Sequence, residues 1–181
     1  MGIHILFDIV WLGRGGQGGV TAARLFAEAS VERGLYALAI PFFGAERRGA
    51  PVFAYNRVSD SVIRKRSRVR RGDMLVVLDP SLLELYDADS LLKEGGLLVV
   101  NSPSCIGRGY YVDAVEIAER MGLRLAGFPL VNMPMLGAAA RVSGLLGKGE
   151  LEAVVKRNFS RMVDENLGAV LEGFEGVRRC E

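Results

Sequence analysis

The sequence predicts an α/β fold, a three-layer αβα sandwich around a mainly parallel sheet. Three observations carry that prediction. Continuous apolar runs such as "MLVVLD" (Met74 to Asp79) and "LLVVNS" (Leu97 to Ser102) mark strands covered on both faces. Stretches with helical spacing alternate with them, which builds βαβ units. Turn signals separate the stretches, with no repeat and no linker, so residues 1–181 read as one domain.

The elements follow in chain order. Ile3 to Leu12 is a buried strand, apolar but for His4 and Asp8. Val20, Leu25, Phe26 and Ala29 then recur at helical spacing up to Gly34, a C-terminal stop. Leu35 to Phe42 is a second strand. Pro51 to Ser59 alternates and gives a third, with Ser61 to Ile63 as its hairpin mate. After the Met74 strand, a helix is expected over Pro80 to Lys93, with Pro80 in its first turn and Gly95-Gly96 at its end. Leu97 to Ser102 is the next buried strand. "YYVDAVEIAERMG" starts as a short strand or turn and becomes a helix to Gly122. "LRLAGFP" supplies one more strand, and Asn132 to Leu146 a glycine- and alanine-rich helix. Glu150 to Gly173 is amphipathic helix in one or two pieces.

Composition narrows the chemistry. A net charge of +2 does not itself argue for nucleic acid and leaves that question to local patches. The N-terminal apolar run has no Lys or Arg before it and is too short to span a membrane, so neither a signal peptide nor an anchor is expected. A cytoplasmic protein follows. One glutamine and few asparagines stand beside many Arg and Glu, a pattern seen in thermophile proteins. The two cysteines, Cys105 and Cys180, lie far apart and carry no disulfide-framework spacing. The two could form one disulfide, but separate thiols in an intracellular, reducing compartment are expected, with Cys105 a structural thiol. Two thiols cannot hold an iron–sulfur cluster, which needs about four cysteine ligands. His4 is the only histidine and is expected as an ordinary strand residue, so a zinc site or a histidine triad has little to build on.

The densest signal is "WLGRGGQGGVTAARLF", which places five glycines in the seven positions from Gly13 to Gly19. Gly13, Gly15 and Gly18 fit G-x-G-x-x-G between a strand and a helix, which makes the predicted sandwich Rossmann-like. Such glycines allow a sharp turn and close approach to a phosphate at the positive end of a helix. Arg14 adds a charge, and Thr21 a hydroxyl in the first helical turn. Gln17 is placed to orient a ligand or to brace the turn. The remaining fingerprint for a dinucleotide is missing: "ALAIPFFG" carries no acid for a ribose until Glu46, and no GK[ST] makes the motif a P-loop. The glycines therefore serve either an anion at the helix end or close strand–helix packing.

Four segments in order then resemble one family. "GRGGQG" running into "VTAARLFAEA", "FFGAERRGAPVFAYNRVS", "DMLVVLDPSLL" and "NMPMLGAAA" are similar to the gamma subunit of the 2-oxoacid:ferredoxin oxidoreductases, the pyruvate and 2-ketoisovalerate enzymes. Ala50 stands where a second glycine is common in that family. The resemblance runs from about Ile3 to Gly168. It implies an enzyme complex in which thiamine diphosphate, Mg²⁺ and iron–sulfur clusters sit on partner subunits of alpha, beta and delta type. The 2-oxoacid and coenzyme A become acyl-CoA and CO₂, and electrons leave to ferredoxin. This chain would hold none of those cofactors alone, would be inactive alone, and would form a wall near the coenzyme A or thiamine site. Coenzyme A is the phosphate-rich ligand that the resemblance offers for the glycine loop; contact of the loop with a partner subunit is the alternative.

The resemblance also raises Glu46, Arg47 and Arg48 from an exposed ion-paired turn to a binding or interface element, and Asn132 from a helix N-cap to a site candidate. "RKRSRVRR" (Arg64 to Arg71) sets six basic residues in eight positions with no aromatic among them, so it is read as a solvated loop, a subunit interface or a steering surface rather than an RNA site. A homodimer in the absence of partners stays open. Two rival readings remain: a free-standing NAD(P)- or flavin-binding reductase, and a non-catalytic nucleotide-sensing module.

Overall fold

The computed structural model describes residues 4–42 and 47–181. Seven strands form one sheet: β1 (Leu6–Arg14), β2 (Tyr36–Pro41), β3 (Pro51–Ser59), β4 (Gly72–Val77), β5 (Leu92–Asn101), β6 (Tyr110–Val112) and β9 (Arg178–Arg179). Their spatial order is β2-β3-β1-β4-β5-β6-β9. The centre, β1-β4-β5-β6, is parallel; β3 and β9 flank it antiparallel, and β2, antiparallel to β3, runs in the direction of the centre. A two-stranded hairpin, β7 (Arg124–Leu125) and β8 (Phe128–Pro129), stands apart from this sheet.

Side-chain alternation along the central strands sorts two cores. Ile9, Trp11, Met74, Val76 and Val99 point to one face, where α1 (Gly19–Glu32), α3 (Ala114–Arg120), α4 (Asn132–Ser143), α5 (Lys148–Asn158) and α6 (Val163–Gly176) pack. Val10, Leu12, Leu75, Val77 and Val100 point to the other. That second face is covered thinly, by a 3-10 turn (Pro80–Glu84), the one-turn α2 (Ala88–Leu91) and Val69 from the basic run. The buried indole of Trp11 donates to Asn56 Oδ1 at 2.7 Å, and Asn56 Nδ2 donates to the α1 carbonyl of Ala23 at 2.8 Å. One side chain thus satisfies the polar atom of the largest core residue and ties α1 to the sheet.

Several sequence expectations change. The Pro80–Lys93 helix breaks in two, because Asp79 and Asp87 each cap a new short turn, and β5 already begins at Leu92. Gly95 and Gly96 lie inside β5 rather than at a helix end: between the Gly72–Leu92 and Met74–Leu97 pairs the register shifts, and Gly95 takes φ +73 in the resulting bulge. Ser61 to Ile63 is not a strand; β3 pairs with β1 and β2 on its two sides. "LRLAGFP" forms the small β7–β8 hairpin, whose turn holds Ala126 and Gly127 at positive φ. His4 lies exposed just before β1. The cysteines are not separate thiols: Cys105 and Cys180, 75 positions apart in sequence, form a disulfide with Cα atoms 5.4 Å apart. It fixes the loop after β5 to the chain just past β9, where Cys180 N also donates to Gly109 O. Sequence spacing could not show this, since β6 and β9 meet only through the sheet.

The closest helix pair is α4 against α6. A Cβ on Gly173 would collide with the Pro134 carbonyl, and one on Gly137 with the Val170 carbonyl. In an open helix Gly→Ala stabilises by about 0.5–1 kcal/mol; here the collision reverses the sign. Gly173→Ala is expected to lower the urea-unfolding free energy by about 1–3 kcal/mol, whereas Gly149→Ala in α5, where open space surrounds the position, leaves it unchanged or raised. Thiol labelling of the unreduced, denatured chain is expected to find no free cysteine. Reduction then lowers stability by about 2–4 kcal/mol, read by the shift in urea midpoint.

Candidate functional site

The parallel strands end together, and their C-terminal ends are where open α/β sheets bind ligands. β1 runs through Gly13 and Arg14 directly into the glycine loop. Gly15 then pairs with the segment after the 43–46 stretch: Gly15 N donates to Ala50 O at 2.9 Å and Gly49 N to Gly15 O at 3.3 Å. A cleft of about 760 Å³ opens between this pairing and the β7–β8 hairpin. Arg14, Gly15, Gly16, Gln17, Arg47, Arg48 and Asp79 line one side, and Val115, Leu125, Ala126, Phe128 and Val131 the other. The cleft is therefore cationic on its glycine side and apolar on its hairpin side.

Each motif glycine has a physical reason. A Cβ on Gly15 would press on the Arg47 carbonyl, and one on Gly18 on the Asn132 amide. A Cβ on Gly13 would come within 3.2 Å of Gln17 and Leu78. Gly16 instead faces open space at φ +93, and it is the exposed tip of the loop at the cleft. Close packing and approach to the cleft are thus divided among the four. Gln17 braces the turn: its Oε1 accepts from Arg14 N at 2.7 Å.

Arg14 is engaged as a latch. Its Nε donates to Asp79 Oδ2 at 2.6 Å, one terminal nitrogen to Gly49 O and the other to Ser81 Oγ, both at 2.9 Å. Three chain segments are held by one guanidinium, whose planar fork suits the geometry. Burial works to raise the Asp79 carboxyl, but hydrogen bonds from Ser81 and Arg14, with the Arg14 charge, outweigh it and hold the group below the ordinary carboxylate range. Asp79 was not among the sequence candidates; its signal was an acid placed directly after a buried strand and before Pro80. Arg48 donates to Ala126 O at 3.1 Å and stacks 5.2 Å from the Phe128 ring centroid, closing the cleft against the hairpin. Arg47 is exposed, and among the described residues it meets no carboxylate. Phe128, 66% exposed, and Leu125 supply an apolar wall that the sequence reading had placed in a plain strand.

Other candidates lie off the cleft. Thr21 sits in the first turn of α1, behind the lining residues, and Gly18 caps that helix with φ 80. Asn132 is the first residue of α4 rather than its cap, which is Val131. Its side chain is buried at 3% exposure over Gly18, and its Oδ1 has no hydrogen-bond partner. Glu46 lies outside the described residues. At the end of β2 stand Ile40, Pro41 and Phe42, with no acid for a ribose, and β3 separates β2 from β1. Among the described residues no group of three or more His, Cys, Asp or Glu is placed to hold a metal, and no helix is long and apolar enough to cross a membrane.

Because the Asp79 carboxyl titrates lower in the folded chain than in the unfolded one, its contribution is present above the unfolded value and is lost as pH falls through the folded value beneath it. Asp79→Asn is expected to cost about 1–3 kcal/mol near neutral pH. The gap between the two unfolding curves should close as pH falls below about 4.

Residues 8–176 match the pyruvate ferredoxin/flavodoxin oxidoreductase family. The chain is 40% identical over 182 residues to the pyruvate/ketoisovalerate oxidoreductases common subunit gamma of Thermococcus litoralis, covering 94% of this chain and 96% of that one. It is 41% identical over 179 residues to pyruvate synthase subunit PorC of Methanothermobacter thermautotrophicus, covering 96% and 97%. The crystal structure of the pyruvate oxidoreductase subunit PORC of Thermotoga maritima superposes with a TM-score of 0.81 at 35% identity, over 97% of this chain and 99% of that one. With the match spanning nearly the whole sheet and both sides of the glycine-loop cleft, the chain belongs to the pyruvate ferredoxin/flavodoxin oxidoreductase family, as a gamma-type subunit of a multi-subunit oxidoreductase.

Proposed function

We propose that this subunit serves a thiamine diphosphate- and iron–sulfur-dependent complex that converts a 2-oxoacid such as pyruvate, with coenzyme A, to acyl-CoA and CO₂ while reducing ferredoxin. In this reading the glycine-loop cleft is a wall of the coenzyme A site, the single domain is inactive alone, and the complex is cytoplasmic. The Cys105–Cys180 bond is compatible with that location in hyperthermophiles, whose intracellular proteins carry disulfides.

The observation that carries the proposal is the two-sided cleft. Coenzyme A joins phosphates to an apolar-tolerant arm, and the cleft joins cations and loop backbone to the Phe128–Leu125 wall. Arg47 is the cation to meet a phosphate, since Arg14 is held by Asp79 and Ser81. Gly16 brings backbone to the cleft with no side chain in the way. Arg48 and Phe128 shape the opposite wall.

The residues of this chain do not fit the cofactors of the reaction. Its two cysteines are joined to each other, against about four thiolates for a cluster. Thiamine diphosphate, with its Mg²⁺, supplies carbanion chemistry from partner subunits. The role left to this chain is to bind, orient and shield the acyl acceptor.

Co-expression with alpha, beta and delta type subunits, followed by an anaerobic assay of 2-oxoacid- and coenzyme A-dependent viologen reduction, tests the reading. Arg47→Ala in the assembled complex is expected to raise the KM for coenzyme A by about tenfold, the loss of one charge-assisted contact, with the KM for the 2-oxoacid unchanged. An unchanged coenzyme A KM would remove the cleft from that site. Failure of the wild-type chain to join an active complex would sink the subunit reading.

A further inference from the structure

The basic run stands outside the cleft and outside everything assigned so far. Arg64, Lys65, Arg66, Arg68, Arg70 and Arg71 are all exposed. Elsewhere in the chain Arg24, Arg33, Arg120 and Arg157 each meet a carboxylate, and the arginines that do not are not gathered in a run of this density. Among the described residues none of the six cations of the run does. Together they exceed the whole net charge of +2.

The run is ordered from beneath. Arg57, 4% exposed, pairs with Asp8 at 2.8 Å through its Nε. One terminal nitrogen, Nη1, reaches up to the run and donates to Lys65 O at 2.8 Å and Ser67 O at 3.3 Å, while Nη2 donates to Asp8 Oδ2 at 3.5 Å. Val69 is buried in the core of the thinly covered sheet face. The chain therefore alternates, with Val69 turned in and Arg68 and Arg70 turned out. A cationic surface held in this way loses little freedom on meeting a partner, while its like charges repel one another until an anionic surface neutralises them.

The geometry selects the partner's chemistry. The six exposed side chains line neither the glycine-loop cleft nor the clefts beside α1 and α3, so they do not converge on a small anion there. No aromatic is interleaved for base stacking. Apolar groups instead flank the run: Val62 is exposed just before it, and the exposed Phe42 ring lies 5.9 Å from the Arg68 guanidinium. Charge bordered by apolar surface, on the sheet face that no long helix covers, fits a lasting contact with folded protein. We propose that residues 64–71 dock against an acidic surface of a partner subunit in the oxidoreductase assembly. This rests on the subunit reading above.

The test is co-expression of the triple variant Arg66→Glu, Arg68→Glu, Arg70→Glu with the partner subunits, and titration of the assembled complex with NaCl by mass photometry. Circular dichroism melts of the isolated chains control for folding and are expected to coincide, because all three side chains are exposed. The variant is expected to raise the dissociation constant about tenfold or more at low salt, with the gap to wild type narrowing as salt approaches about 1 M. The glutamine triple variant should fall between the two. Equal assembly of wild type and variants at every salt overturns the inference. So does equal assembly with a raised KM for the electron-carrier protein at unchanged kcat, which would assign the surface to a soluble carrier. If the wild-type chain itself fails to assemble, the subunit reading falls first and takes this inference with it.

Discussion

The cleft depends on one guanidinium. Arg14 leaves the end of β1 and ties to it, by side-chain bonds, the 79–81 turn through Asp79 and Ser81 and the 47–50 segment through Gly49. Without that latch the 47–50 segment would be tied to the loop by backbone bonds to Gly15 alone. A charge-assisted bond in a partly buried setting is stronger than its neutral counterpart, and here the charge on Asp79 is preserved because its donors outweigh its desolvation. The consequence is chemical as well as mechanical. The cation nearest the glycines is occupied, whereas Arg47, exposed at the cleft, meets no carboxylate among the described residues.

The glycine loop shows how one motif answers two demands. Gly15 and Gly18 are required by backbone and amide neighbours that a methyl group would strike, so packing alone justifies them. Gly16 meets nothing and is held at positive φ, so a turn towards the cleft justifies it. The strand order beside this loop differs from that of the dinucleotide-binding sheet, where the second strand lies next to the first. β3 is inserted antiparallel between β1 and β2, which moves the second strand away from the loop.

Two buried or half-buried ion pairs organise opposite features of the molecule. Arg14–Asp79 shapes a cleft; Asp8–Arg57 holds an exposed cationic run. A buried pair is stable only when further hydrogen bonds satisfy both partners, and in the second case those bonds go to Lys65 and Ser67 carbonyls. Asp8, which interrupts an otherwise apolar strand in the sequence, is thereby the base of a surface feature more than fifty positions away.

Much of the architecture was legible in the chain. Continuous apolar runs determined β1, β4 and the second half of β5, helical spacing determined α1, α3 and α4, and the order of four segments determined the family, because these signals are local or follow chain order. The same signals raised Gly13 to Gln17 and Arg47 to Arg48 as candidates, and of these Arg14 to Gln17, Arg47 and Arg48 line one cleft. Thr21 and Asn132 were drawn in by the same signals, yet they stand behind the cleft, because a helix turns successive residues to different sides. What the sequence could not decide were pairings between distant segments. The Cys105–Cys180 bond, the Arg14–Asp79 latch, the apolar wall from Phe128 and the seating of the basic run on Arg57 each join residues that only the sheet brings together. Spacing along a chain records which residues share a face; which faces meet is decided by strand order and register, and those are properties of the whole fold.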